Sequence, residues 1–149
     1  MKKAVWMILT VLFVFAACDK DEENTLGNLT SSQAKELMQG EWYLAEATGS
    51  QYANPVNCSS KKEAEDFVTV HVNLIGFWWK YDPGHSPMDF FELQVVTYKD
   101  EPAWRLSLKE NENDKEETRS MYTGAYITFL NSEKMILVTD EYGTFTYKK

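Results

Sequence analysis

The sequence predicts an all-β protein: an eight-stranded antiparallel up-and-down barrel behind one short N-terminal helix. Three observations carry this. From Glu41 onward apolar residues recur with a period of two, the spacing of a strand with one buried face. The breaks between these runs are short and rich in turn formers: Asp82-Pro83-Gly84, Lys99-Asp100-Glu101-Pro102, Asn131-Ser132-Glu133 and Glu141-Tyr142-Gly143. The chain of 149 residues is 44% hydrophobic and 14% aromatic, enough to fill one domain core. A meander of eight strands removes its exposed edges most simply by closing on itself.

The chain opens with an address rather than a fold. Met1-Lys2-Lys3 precedes Ala4–Ala17, an apolar run whose one polar residue is Thr10. It is too short to span a bilayer, which takes roughly 20 residues, and has no polar face to mark a core helix. A basic start, a short apolar stretch and small residues are the marks of a secretory signal over residues 1–17. Phe15-Ala16-Ala17-Cys18 resembles the lipobox of bacterial lipoproteins, with Phe15 where Leu is usual. The resemblance implies that Cys18 becomes the N-terminus and carries acyl chains such as palmitate. The following Asp19-Lys20-Asp21-Glu22-Glu23 resembles the export signal of surface lipoproteins in Bacteroidota-type bacteria. It implies attachment to the outer membrane, facing outward. Read by charge alone, residues 18–29 are a solvated acidic tether.

Cleavage before Cys18 removes Lys2 and Lys3, leaving 13 basic groups against 23 acidic ones, a net charge of −10. That balance excludes a nucleic-acid partner, which needs a basic face. With Cys18 lipidated, Cys58 is the remaining thiol, so no intrachain disulfide is expected.

The domain proper is expected over 30–149. Thr30 and Gln33 form a capping box, Leu29 stands where a hydrophobic staple would, and Gly40 stops the helix. Strands are expected over 41–48, 67–75, 77–82, 89–99, 103–109, 120–130, 134–140 and 143–148. The clearest alternations are Val68, Val70, Val72 and Leu74 against Thr69, His71 and Asn73, and Trp104, Leu106 and Leu108 against Arg105, Ser107 and Lys109. The span 49–66 is long for a hairpin, the length of a lid or binding loop, and Ser60-Lys61-Lys62-Glu63 offers a second capping box. The run 110–117 is acidic and amidic. It reads as a solvated loop or, more sharply, as calcium ligands without the central glycine of an EF-hand.

Helix, Gly40-Glu41-Trp42, first strand and long loop together resemble the lipocalins and their calycin relatives. There a Gly-x-Trp motif opens the first strand and its tryptophan closes the barrel floor; Gly40 and Trp42 match it. The resemblance implies a basic residue over that tryptophan, a place open to Lys148 or Lys149. It also implies a small apolar or amphipathic ligand. Another antiparallel barrel or sandwich would equally bury Trp42 as core.

No catalytic motif stands out, and the chain reads as a non-enzyme with no cofactor and no metal. His71 lies mid-strand; His85 and Ser86 are adjacent and so do not form a triad. Asp89 and Glu92, three apart in a strand, face opposite sides and are not a glycosidase pair. The distinctive feature is aromatic: Phe77, Trp79 and Tyr81 alternate with Trp78 and Lys80, so bulky rings point to both faces. One set fills the core. The other covers the helix, the lid or a ligand, and Trp78, Trp79 and Trp104 are the candidate ligand contacts. Two readings follow: a lipid-anchored binding protein for a small apolar or amphipathic molecule, or a surface module that binds a protein or glycan through exposed aromatics.

Overall fold

The computed structural model describes residues 26–49, 54–67, 69–73, 76–80, 89–109, 111, 113 and 124–149, the side chains of 77–80 and 89 excepted. The signal segment, Cys18 and most of the acidic tether lie outside them, as do His85, Ser86, Tyr81 and most of 110–117. Among the described residues no helix is long and apolar enough to cross a membrane.

The protein is all-β with one short helix. A 3-10 turn (Leu26–Asn28) leads into α1 (Ser31–Met38). The capping box forms as the sequence dictates: Gln33 N–H donates to Thr30 Oγ1 (3.3 Å) and Thr30 N–H to Gln33 Oε1 (2.9 Å). Gly40, with φ +119°, is the first residue of the next strand, and the helix ends two residues before it, at Met38. The strands are β1 (Gly40–Thr48), β2 (Val56–Asn57), β3 (Thr69–Val72), β4 (Gly76–Lys80), β5 (Asp89–Tyr98), β6 (Glu101–Lys109), β7 (Ala125–Leu130), β8 (Lys134–Thr139) and β9 (Gly143–Lys148).

They form one antiparallel sheet in the order β2-β1-β3-β4-β5-β6-β7-β8-β9, and β1 makes a further ladder with β9. One edge of β1 is shared by β3, opposite Gly40–Trp42, and β2, opposite Glu46 and Ala47. Its other edge pairs Tyr43–Thr48 with β9. The short β2 has no counterpart among the expected strands. The expected helix from Ser60 is also absent. Glu63 turns its carboxylate to Ser59 N–H (2.7 Å) and Oγ (2.8 Å), not to Ser60 N–H, and the chain continues as turns through Asp66. Within the expected strands 67–75, 77–82 and 120–130 the structure shows Thr69–Val72, Gly76–Lys80 and Ala125–Leu130; residues 68, 74–75, 81–82 and 120–123 lie outside the described residues.

Alternation places the core. Val70 and Val72 are buried between half-buried Thr69 and His71; Trp104, Leu106 and Leu108 are buried while Arg105 and Ser107 are half-buried. Leu44, Ile127, Met135, Leu137 and Tyr147 join them, together with Ala34 and Met38 of α1. The β4–β5 ladder is short, Gly76↔Phe90 and Phe77↔Asp89, so among the described residues β5 beyond Phe90 has no strand paired on that side. The helix packs against β5: Lys35 Nζ donates to Phe91 O (3.0 Å) and Ser31 Oγ to Leu93 O (3.4 Å). Open strand edges are costly in unpaired backbone groups, and a helix laid beside one removes that cost.

An up-and-down order sends connections alternately to two ends. Among the described residues, one end, the short-turn end, holds Asn73, the Lys99-Asp100 turn and 131–133, together with α1. The other, the long-connection end, holds 54–67 and 140–142. The Lys99-Asp100 turn has φ of 49° and 68°, the two positive values that match hairpin twist.

Candidate functional site

The short-turn end is built on Trp42. Its side chain is fully buried, and its Nε1–H donates to Met38 O at 2.7 Å. Lys149 Nζ stands 4.4 Å from the Trp42 ring centroid and donates to Leu37 O at 3.0 Å. The ammonium therefore satisfies a carbonyl at the helix end while it covers the indole. Partial burial holds the Lys149 pKa below the usual lysine range. The sequence left the basic partner open between Lys148 and Lys149; the structure places Lys149 over the ring.

Trp104 lies on β6 in the buried face, opposite Val95 and Ile127, and is 3% exposed. Its Nε1–H has no hydrogen-bond acceptor among the described residues. A buried, unmatched donor costs about 1–3 kcal/mol, so an oxygen that reached it would gain that amount. Trp78 and Trp79 are in β4, in register with His71 and Val70; their side chains lie outside the described residues. The three tryptophans are thus on two strands separated by β5. Cys18 also lies outside the described residues.

The long-connection end holds a site the sequence did not single out. The chain after β1 returns as β2, and Cys58 N–H donates to Ala45 O (2.7 Å), fixing the strand along β1. The turns at 61–66 follow, with Glu63 N–H on Ser60 Oγ (3.3 Å). Between the two runs a groove of about 610 Å³, open to solvent, is lined by Asn54, Pro55, Val56, Asn57, Cys58, Glu63 and Phe67. Val56, Cys58 and Phe67 pack against the core, so the groove has a fixed apolar floor, while Asn54, Asn57 and Glu63 supply polar groups. Hydrogen bonds from Ser59 N–H, then its hydroxyl, hold the Glu63 pKa below the usual carboxylate range. Burial, then repulsion from Glu63, pushes the Cys58 thiol up from its ordinary value. Cys58 is therefore a protonated thiol at neutral pH, not a nucleophile. The signal for this groove was the length of 49–66; what was missed is the two-residue strand inside it.

Two other arrangements bear on function. Tyr98 and Tyr126 stack at 4.7 Å on the face opposite the core, and Lys99 Nζ lies 5.3 Å from the Tyr98 ring. Glu92, exposed on that face, pairs with Lys109 at 3.0 Å; Asp89's side chain is outside the described residues. Among the described residues no group of three or more His, Cys, Asp or Glu side chains is placed to hold a metal.

Among the described residues of the long-connection end, Glu63, Glu65, Asp66, Asp140 and Glu141 stand against Lys61 and Lys62. At the other end Lys35, Lys99, Lys134, Lys148 and Lys149 balance Glu36, Glu41, Asp100, Glu101 and Glu133. No family model, curated protein or solved structure matches this chain.

Proposed function

We propose that this chain is a lipid-anchored, extracytoplasmic binding protein that takes up a small apolar or amphipathic molecule without catalysis. Its lipocalin-like domain would be an eight-stranded up-and-down barrel tethered through Cys18 to the bacterial outer membrane and facing outward. The β1–β9 ladder supports closure, and Lys149 over Trp42 at the start of β1 supports the floor that the Gly40-x-Trp42 resemblance implies. Phe15-Ala16-Ala17-Cys18 and the acidic run after it support the anchor.

The observation that carries binding is the groove of about 610 Å³ at the long-connection end. Its volume lies within the ~300–1,000 Å³ range of small-molecule sites, and its mixture of apolar floor and few polar groups suits an amphipathic ligand. Trp78, Trp79 and Trp104 do not line this groove; as the ring contacts expected from the sequence they belong to a separate proposal, a ligand held among the strands, where the Trp104 N–H, without an acceptor among the described residues, would favour an oxygen. The test is mass spectrometry of molecules that copurify with the native protein, repeated on Phe67→Ala. A retained small molecule lost in the variant supports the groove. A ligand-free native protein sinks this reading.

The second reading, a module that binds a protein or glycan, is favoured by the stacked Tyr98–Tyr126 pair on the outer face. A glycan array read with wild type and Tyr126→Ala separates the two.

A further inference from the structure

We propose that the short-turn end, led by the tip of the β5–β6 hairpin, lies on the lipid surface, so that the long-connection end points away from the membrane. This rests on the anchoring of Cys18 proposed above.

The first argument is reach. The chain enters the fold at Leu26, where the 3-10 turn packs on β6 and β7. Cys18 stands eight residues earlier, and eight residues span at most about 28 Å when fully extended. The nine residues of β6 alone measure about 30 Å along the strand. A tether of that reach, joined next to α1, favours the end at which α1 sits.

The second argument is the surface presented. Alternation places Val95 on the same face as Phe91 and Leu93, which are buried. The helix reaches only as far as Leu93 O, and the hairpin continues past it. Val95 is consequently 65% exposed, and among the described residues it is the one large hydrophobic side chain so exposed. Beyond it stand Tyr98 and Lys99, with the ammonium 5.3 Å from the ring centroid. A short aliphatic group, an amphipathic ring and a lysine on a long stem are the side chains that settle at the level of lipid headgroups.

The experiment uses the intact lipidated chain in vesicles of phosphatidylethanolamine and phosphatidylglycerol that contain a doxyl-labelled lipid quencher. An environment-sensitive dye is attached at Val95→Cys on the hairpin or, separately, at Glu65→Cys on the far turns, each in a Cys58→Ser background with a wild-type circular-dichroism spectrum. Loss of most of the fluorescence at Val95→Cys, with none at Glu65→Cys, is expected. Equal loss at both positions, or loss confined to Glu65→Cys, overturns the orientation while leaving the anchor intact. A chain that fails to float with the vesicles, or whose Cys18→Ser form floats equally well, overturns the anchor and the orientation with it.

Discussion

The two ends of this sheet solve the same problem, how to turn an antiparallel strand round, with opposite materials. At the short-turn end the turn groups are satisfied locally. Asn73 Oδ1 accepts from Gly76 N–H at 2.7 Å, and Asn131 Oδ1 from Glu133 and Lys134 N–H at 2.9 and 2.7 Å. Its lysines are tied down as well: Lys35, Lys99, Lys134 and Lys149 lie over Phe91, Tyr98, Phe129 and Trp42. At the long-connection end the segments are longer, acidic and interrupted by the groove. A fold can vary one end while the other holds the strands in register, and loops carried on a rigid scaffold are where binding residues concentrate. Stability should therefore be lost from one end and specificity from the other.

The largest expected effect is at Trp42. Trp42→Ala removes a fully buried indole, its bond to Met38 O and the seat of Lys149. A loss of about 3–5 kcal/mol is expected, read as a fall in the urea midpoint. A midpoint near wild type would break the comparison, because the short-turn end would then not be the end that holds the fold.

The next effect tests whether the long-connection end is lax throughout. It is not expected to be, because β1 leaves the β1–β9 ladder at a close approach of two glycines. Gly143 has φ +97°, and a Cβ there would run into the carbonyl oxygen of Thr48; one on Gly49 would run into that of Tyr142. Gly143→Ala should cost at least about 1–2 kcal/mol from the backbone conformation alone. Glu65→Ser, at an exposed position of the same end, should leave the midpoint within about 0.5 kcal/mol of wild type. Equal midpoints for the two variants would show that the glycine contact does not hold this end of the ladder.

The short-turn end also has a place where sequence and backbone disagree. Lys99 and Asp100 occupy the two positive-φ positions of a turn that favours Asn-Gly. Replacing them with Asn and Gly should raise stability by about 1 kcal/mol. A fall would mean that Lys99 over Tyr98 outweighs the strain of its backbone.

What could be read from the sequence follows the same division. Period-two alternation and a capped helix are local, so Thr30–Gln33, Trp42, Val70 and Leu106 stand where their neighbours dictate. Val56–Asn57 were illegible because two residues between Pro55 and Cys58 carry no period; they become a strand only because Glu46 and Ala47 offer an edge. Ser60-Lys61-Lys62-Glu63 misled for a related reason. The pattern of a capping box is present, but Glu63 has a nearer pair of donors in Ser59. Val95 shows the limit of alternation itself, which assigns a face but not whether anything covers it. The groove inherits the first two difficulties, since its walls are β2 and those turns.

The smallest expected effect is chemical and asks whether the groove is as fixed as its floor suggests. Cys58 is buried, its Sγ lies 3.6 Å from Glu63 O, and burial and the Glu63 charge both disfavour its thiolate. A group whose pKa rises on folding contributes stability below its unfolded value, here 9.0, and that contribution is lost as the pH rises through the folded value. Glu63 has the opposite sign: its contribution is present above 4.5 and is lost as the pH falls through the lowered folded value. Alkylation of Cys58 by iodoacetamide should therefore be slower than that of an unfolded-chain thiol at pH 8, and its rate should still be rising above 9.0, where that of the unfolded-chain thiol begins to level off. Glu63→Gln removes the second cause of the shift and should move the profile to lower pH. Because that substitution also weakens the contact with Ser59, Ser59→Ala is the control: it loosens the turn and keeps the charge. A profile that moves equally in both variants would assign the protection to closure of the turn. A shift confined to Glu63→Gln would assign it to the charge, with the wall of the groove held in place by the pairing of β2 with β1.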